Sequence, residues 1–168
     1  MNDFAILQST PLFQGLDAGA LDGLLTRLGA VRRSYLRGAV LVQAGQPNRS
    51  VGVVLSGAIE AARPAPDGTH LPITRMGPGG VFGDVLGGSS LTSPVTVTAH
   101  AACEVLLIPY DRLLRPDGSA AGQQVLQNLV RTISDKYFLL ARRVDLLLLH
   151  SLRAKVAAYL LAEAERAG

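Results

Sequence analysis

The stretch from Gly77 to Ala99 contains no Lys or Arg, and its one formal charge is the carboxylate of Asp84. A buried phosphate monoanion needs charge-assisted donors, and a bidentate Arg is among the strongest available. This stretch therefore offers an anion hydroxyls and backbone amides but no guanidinium. The other chemically capable side chains are scattered. His70, His100 and His150 include no His-x-His pair, which argues against the converging His and carboxylate ligands of a metal-dependent cupin-like enzyme. Cys103 is the single cysteine, too few thiolates for an iron–sulfur cluster held by this chain alone. It alternates with Val105 and Leu107 rather than with Glu104, the pattern of an inert core thiol rather than a redox sensor.

Short strands must position these residues. Between Ser34 and Pro109 come the apolar runs Ala39–Gln43, Val51–Leu55, Ala58–Ala62, Leu71–Met76, Val95–Ala99 and Glu104–Ile108, separated by glycines and turn residues. Such even spacing suggests an all-β sandwich or barrel. Gln46-Pro47-Asn48 and Pro66-Asp67-Gly68 read as turns, the second as a hairpin connection. Strand alternation puts Ser93, Val95, Val97 and Ala99 on one face and Pro94, Thr96, Thr98 and His100 on the other. The apolar set should face inward and carry Ser93 with it. The same counting places His70 with Thr74 and Met76, opposite Leu71 and Ile73, so both His70 and His100 are expected to look outward. Ahead of the strands, Pro11–Leu28 reads as a helical entry, with Leu16, Leu21, Leu24, Leu25 and Leu28 on one side and Asp17 as its N-cap.

From about Gly122 to His150 the periodicity is helical. Leu126, Val130, Ile133, Tyr137, Leu140, Val144 and Leu147 follow one another at alternating steps of four and three, an a/d heptad pattern. Leu129, Ala141 and Leu148, with Phe138 beside them, form a second stripe. At 1.5 Å per residue this helix reaches about 40 Å, longer than one face of a small domain can cover. One stripe can lie on the β-roll and the other on a second copy, which predicts a homodimer. A last segment, Leu152–Arg166, is amphipathic, with Val156, Tyr159 and Leu160 on one side.

Composition limits the alternatives. The chain has 168 residues, 48% hydrophobic and 17% charged, which places it among folded proteins. Its net charge of +3 is mild and no segment concentrates Lys and Arg, so direct gripping of nucleic acid is not expected. No uncharged apolar run reaches membrane-spanning length, the C-terminal candidates being broken by Arg142, Arg143 and Asp145. Met1–Ser9 has neither a basic leader nor a long apolar stretch, and with one cysteine this points to the cytoplasm.

The glycines and the segment Phe82-Gly83-Asp84 form an ordered series with Gly45, Leu55-Ser56-Gly57, Gly68, Met76-Gly77-Pro78-Gly79, Val81-Phe82-Gly83, Thr96-Val97-Thr98-Ala99 and Val105-Leu106-Leu107-Ile108. This series, followed by a heptad helix, resembles the cyclic-nucleotide-binding-type sensor domains of the Crp/Fnr (cyclic-AMP receptor) family over about Pro11 to Leu161. The resemblance implies a mainly β fold with α: a double-stranded β-helix, or jelly-roll, flanked by N-terminal helices and a long dimerisation helix. It also implies a short helix beginning near Gly83 whose amides face the ligand, while Leu152–Arg166 resembles the first helix of a DNA-binding half. The recognition helix that would follow is absent from this chain.

In cyclic-AMP-binding members the position of Asp84 is normally Glu, contacting ribose, and the position aligned with Ser93 is normally Arg, pairing with the cyclic phosphate. Both differ here. Helix-terminal amides near Gly83–Leu86 could attract an anion, but the Asp84 carboxylate would oppose them. The resemblance therefore implies a non-enzymatic sensor for an unknown small-molecule effector, not binding cyclic AMP in the usual way. The expected contacts are Phe82, Gly83, Asp84, Val85, Leu86, Ser93, Pro94, Val95 and Thr96, with Asp84 alternatively an N-cap and Ser93 alternatively a turn serine. The expected parts are residues 1–119 for the N-terminal helix and effector-binding roll, 120–150 for the dimerisation helix, and 151–168 for the start of a DNA-binding domain, through which alone DNA would be contacted. The rival readings are a heme-based gas or redox sensor of the same fold and, less favoured, a cupin-like metal enzyme.

Overall fold

Two four-stranded antiparallel sheets enclose an apolar core in the computed structural model, which describes residues 3–65, 67–85 and 92–167. The strands are β1 (Val31–Tyr35), β2 (Val40–Val42), β3 (Ser50–Ser56), β4 (Ile59–Pro64), β5 (His70–Met76), β6 (Val81–Phe82), β7 (Thr96–Ala99) and β8 (Cys103–Pro109). One sheet has the order β1-β8-β3-β6 and the other β2-β7-β4-β5. Strands distant in sequence are thus neighbours, the jelly-roll arrangement. Between the sheets lie Val54, Phe82, Cys103 and Val105 from the first and Ile59, Ala61, Val97 and Ala99 from the second, all buried.

The helices are α1 (Asp3–Gln8), α2 (Ala18–Arg27), α3 (Tyr110–Leu114), α4 (Ala120–Leu148) and α5 (Leu152–Ala167), with a 3-10 turn at Pro11–Phe13. Asp17 caps α2 as the sequence indicates, its Oδ1 accepting from the Ala20 amide at 2.8 Å. Because α1 packs on β3, that strand is covered on both faces, and Val51, Val53, Val54 and Leu55 are all buried. This explains why it reads as an unbroken apolar run rather than as an alternation.

The chain divides into two compact units, Met1–Val130 and Arg131–Gly168, with α4 beginning in the first and continuing in the second. In the first unit Val125 and Leu129 are buried, and Asn128 donates from Nδ2 to the carbonyls of Leu12 at 3.1 Å and Gln14 at 2.9 Å. A buried amide that finds both acceptors locks the start of α4 to the N-terminal turn. In the second unit Tyr137, Phe138, Leu139, Leu140, Val144 and Leu148 are exposed on α4, as are Leu152, Val156, Tyr159 and Leu160 on α5.

Several sequence expectations need correction. β1 and α1 carry no clear sequence signal: Val-Arg-Arg-Ser-Tyr has no apolar alternation because β1 is an edge strand exposed along most of its length. Arg32 there pairs with Asp3 and, at 3.3 Å, with Glu104. His70 is exposed as expected, but Leu71 and Ile73, assigned to the inner face, are 58% and 52% exposed. The β4–β5 ladder shifts register between Ala61 and Ala62, and β5 is an edge strand whose two faces are both open. The second α4 stripe is buried only at its start, at Leu129, while Phe138 and Leu148 lie open.

Candidate functional site

The two segments expected to hold an effector meet at the apolar core. β6 delivers Phe82 opposite Gly52 of β3, and its ring lies so close over the strand that a Cβ at Gly52 would stand 2.1 Å from Phe82 Cζ. Val95 packs against the same cluster. Gly83 then turns the chain with φ +76°, and a Cβ there would sit 2.5 Å from both Asn48 Nδ2 and the Ser50 carbonyl. No other residue fits that left-handed, contacted position.

This turn buries Asp84. It stands beside Tyr110, whose phenol is pushed up first by burial and then by the Asp84 carboxylate; the Tyr110 amide donates to the Arg49 carbonyl at 2.8 Å. Gly83–Val85 form a bend and turn, Val85 is exposed, and Leu86 lies outside the described residues.

Ser93 is buried, as strand parity suggested, but for a different reason. β7 begins only at Thr96, and Ser93 belongs to the turn before it. Its hydroxyl donates to the Val95 carbonyl at 2.7 Å and accepts from the Val95 amide at 3.3 Å. Its backbone clasps the β2–β3 connection, accepting from the Gly45 amide at 2.8 Å and donating to the Gln46 carbonyl at 2.9 Å. The side chain is engaged in its own turn. Pro94 is exposed and Val95 half-buried. Thr96, expected on the outward face, is buried, because its Oγ1 accepts from the Ala44 amide at 3.2 Å.

Two arginines that could substitute for a missing cation, Arg75 and Arg63, are both exposed. Arg75 is exposed and pairs through Nε with Glu60 at 2.6 Å, on the face of β4 opposite the buried Ile59 and Ala61. Glu60 is thereby held below the usual carboxylate range, chiefly by that bond. His100 Nδ1 lies 3.9 Å from the same carboxylate, so it too belongs to this outer cluster. Arg63 is exposed at the β4 end.

Cys103 sits in the core, and burial pushes its thiol up. A protonated, enclosed thiol is a poor nucleophile. Maleimide labelling of the native protein at neutral pH should be slow, and at least about a hundredfold faster after denaturation. Rapid stoichiometric labelling of folded protein, followed by mass spectrometry, would contradict this placement.

Two four-stranded sheets packed about an apolar core, joined by glycine-shaped turns, define a jelly-roll domain. The model of the cyclic nucleotide-binding domain family matches residues 32–115, half of the chain, and the chain belongs to that family. It is similar to the CRP-like cAMP-activated global transcriptional regulator of Mycobacterium tuberculosis, with 27% identity over 165 residues, covering 97% of this chain and 71% of the relative. Among solved structures it is similar to the catabolite activator protein of Thermus thermophilus, at a TM-score of 0.71 and 23% identity over 82% of this chain and 63% of that one. The sensor domain of the transcriptional regulator DNR from Pseudomonas aeruginosa matches at a TM-score of 0.67 and 19% identity, over 88% of this chain and 93% of that domain. This chain thus spans less than two thirds of the Thermus protein. Among the described residues, no helix is long and apolar enough to cross a membrane.

Proposed function

We propose that this chain is the effector-sensing and dimerisation part of a Crp/Fnr-like transcription regulator, and that its roll does not take cyclic AMP through an arginine–phosphate pair. The observation that carries the first half is the long helix. Val130, Tyr137, Leu140 and Val144 follow the heptad spacing and are 57%, 66%, 60% and 46% exposed, an apolar seam that a second copy would cover. Leu126 and Ile133 of the same series are half-buried, and the side chain of Leu147 lies outside the described residues.

The second half is supported by Ser93, whose hydroxyl is spent within its own turn, and by the absence of Lys and Arg from Gly77 to Ala99. In this reading Phe82–Leu86 and Ser93–Thr96 contact an uncharged or weakly charged effector. Its binding biases how the roll (residues 1–119) engages the dimerisation helix (120–150), and so the orientation of whatever residues 151–168 lead into. DNA is reached only through a further domain.

Light scattering should give twice the 17.6 kDa mass of one chain. The absorption spectrum of the same sample separates the rival sensor chemistry: the proposal expects no Soret band, and an intense one would replace it with a heme-based sensor.

A further inference from the structure

A cleft lies among the helices, lined by no residue of the eight strands. About 80 Å³ in volume, it opens in the first unit between α2, α3 and the beginning of α4. Its floor is apolar: Leu24, Leu113 and Val125 are each only 1% exposed. Three guanidinium-bearing side chains, Arg27, Arg112 and Arg115, line it together with one carboxylate, Asp117.

That carboxylate is already committed. Asp117 pairs with Arg27 Nε, and its Oδ1 accepts from the Ser119 amide at 3.0 Å and from the Ser119 hydroxyl. These Ser119 bonds, and then Arg27, hold the Asp117 carboxyl below its ordinary range, so it stays ionised at neutral pH. The Ser119 hydroxyl in turn accepts from the Gly122 amide at 3.0 Å, which caps the first turn of α4. Gly122 permits this fold-back, since a Cβ there would stand 2.9 Å from Asp117 Oδ1. The capping loop is therefore internally satisfied and neutralises one arginine. Among the described residues, Arg112 and Arg115 have no carboxylate partner.

Arg112 and Arg115 are both exposed, at the rim of a cleft whose floor is apolar, and two guanidinium groups without a carboxylate partner suit a doubly charged oxyanion, because Arg presents paired donors in a fixed fork. We propose that this cleft binds a phosphate group, either free phosphate or the phosphomonoester of a small metabolite. A carboxylate would satisfy only half the charge, and a cleft this small encloses one such group rather than a polymer backbone. Occupancy would join the loop before α4 to α2 and so fasten the start of the long helix to its unit. The inference is independent of what the roll holds.

The test is calorimetric titration of the full chain with inorganic phosphate and, separately, with glycerol phosphate, at constant ionic strength. Saturable binding at one site per chain is expected. It should weaken at least about tenfold in Arg112→Gln/Arg115→Gln, a variant that removes no ion pair of the fold and should keep the wild-type melting temperature. Arg37→Gln, the same kind of charge change at an exposed turn elsewhere, should bind like wild type. Tighter binding of the ester assigns an organic source and tighter binding of phosphate the free ion. Absence of saturation up to about 10 mM, equal weakening by Arg37→Gln, or salt-dependent binding of duplex DNA without saturable phosphate binding would overturn the proposal.

Discussion

Replacing Leu140 by Asp is expected to convert a dimer into a monomer. Leu140 lies midway along the exposed seam of α4 and is 60% accessible on the single chain, so the variant monomer should fold as well as wild type. In a paired seam the new carboxylate would be buried without a partner, which costs about 3–5 kcal/mol, and two-fold symmetry would introduce it twice. Dimer affinity should therefore fall at least a few hundredfold, on the order of that free energy. Ile133→Asp should act in the same direction, though Ile133 is half-buried and its replacement would also disturb the monomer. Leu36→Asp, at a position 80% exposed and off the helix, should leave the dimer intact. Sedimentation velocity distinguishes these cases, and a dimeric Leu140→Asp would place the interface elsewhere.

Gly57→Ala is expected to unfold the roll. Gly57 has φ +74°, and an added Cβ would meet the Ala102 carbonyl oxygen at 2.1 Å and Cys103 Cα at 2.7 Å. Both are backbone atoms of the β8 entry, so no side chain can swing aside. The left-handed conformation alone costs roughly 1–2 kcal/mol for alanine. The clash must be relieved by moving β4 or β8, which between them supply Ile59, Ala61, Cys103 and Val105 to the core. Against a total stability of about 5–15 kcal/mol, chemical denaturation should show little or no folded population. Gly68→Ala is the matched control, with φ +83° but nothing within 4 Å of the added atom; it should lose only the conformational cost. Equal midpoints for the two variants would show that the close approach at Gly57 does not constrain the roll.

Gly57 also illustrates what was legible in the sequence. A glycine after Leu55-Ser56 marks a strand end, and the ordered series of such glycines was enough to identify the jelly-roll. The a/d series was equally legible, because a heptad leaves its trace at every third or fourth residue regardless of context. Edge strands were legible only in part: β1 is exposed along most of its length and lacks the alternation that burial imposes, while β5 was readable as the run Leu71–Met76 but its faces were not, since both are open. Thr96 defeated parity for a related reason: a hydroxyl that accepts from the Ala44 amide can be buried on a face that counting assigns to solvent.

At the candidate site, Phe82, Asp84 and Ser93 are all buried, but sequence alone could not say how the Ser93 hydroxyl is engaged. Ser93 is buried by its turn and not by a strand. Asn128 was missed because its two acceptors lie 116 and 114 residues away along the chain. The arginine cleft was missed for the same reason: Arg27 meets Arg112 and Arg115 only through folding, so a search for local charge concentration passes over all three.

The measurement that bears most directly on the account is calorimetric titration of the wild-type chain with cyclic AMP and cyclic GMP. A roll whose stretch Gly77–Ala99 has no Lys or Arg, and whose Ser93 hydroxyl is engaged in its own turn, should bind neither more tightly than about the millimolar range. Micromolar affinity for either, surviving substitution of Arg112 and Arg115, would mean that a cation reaches the roll from elsewhere and would contradict the assignment.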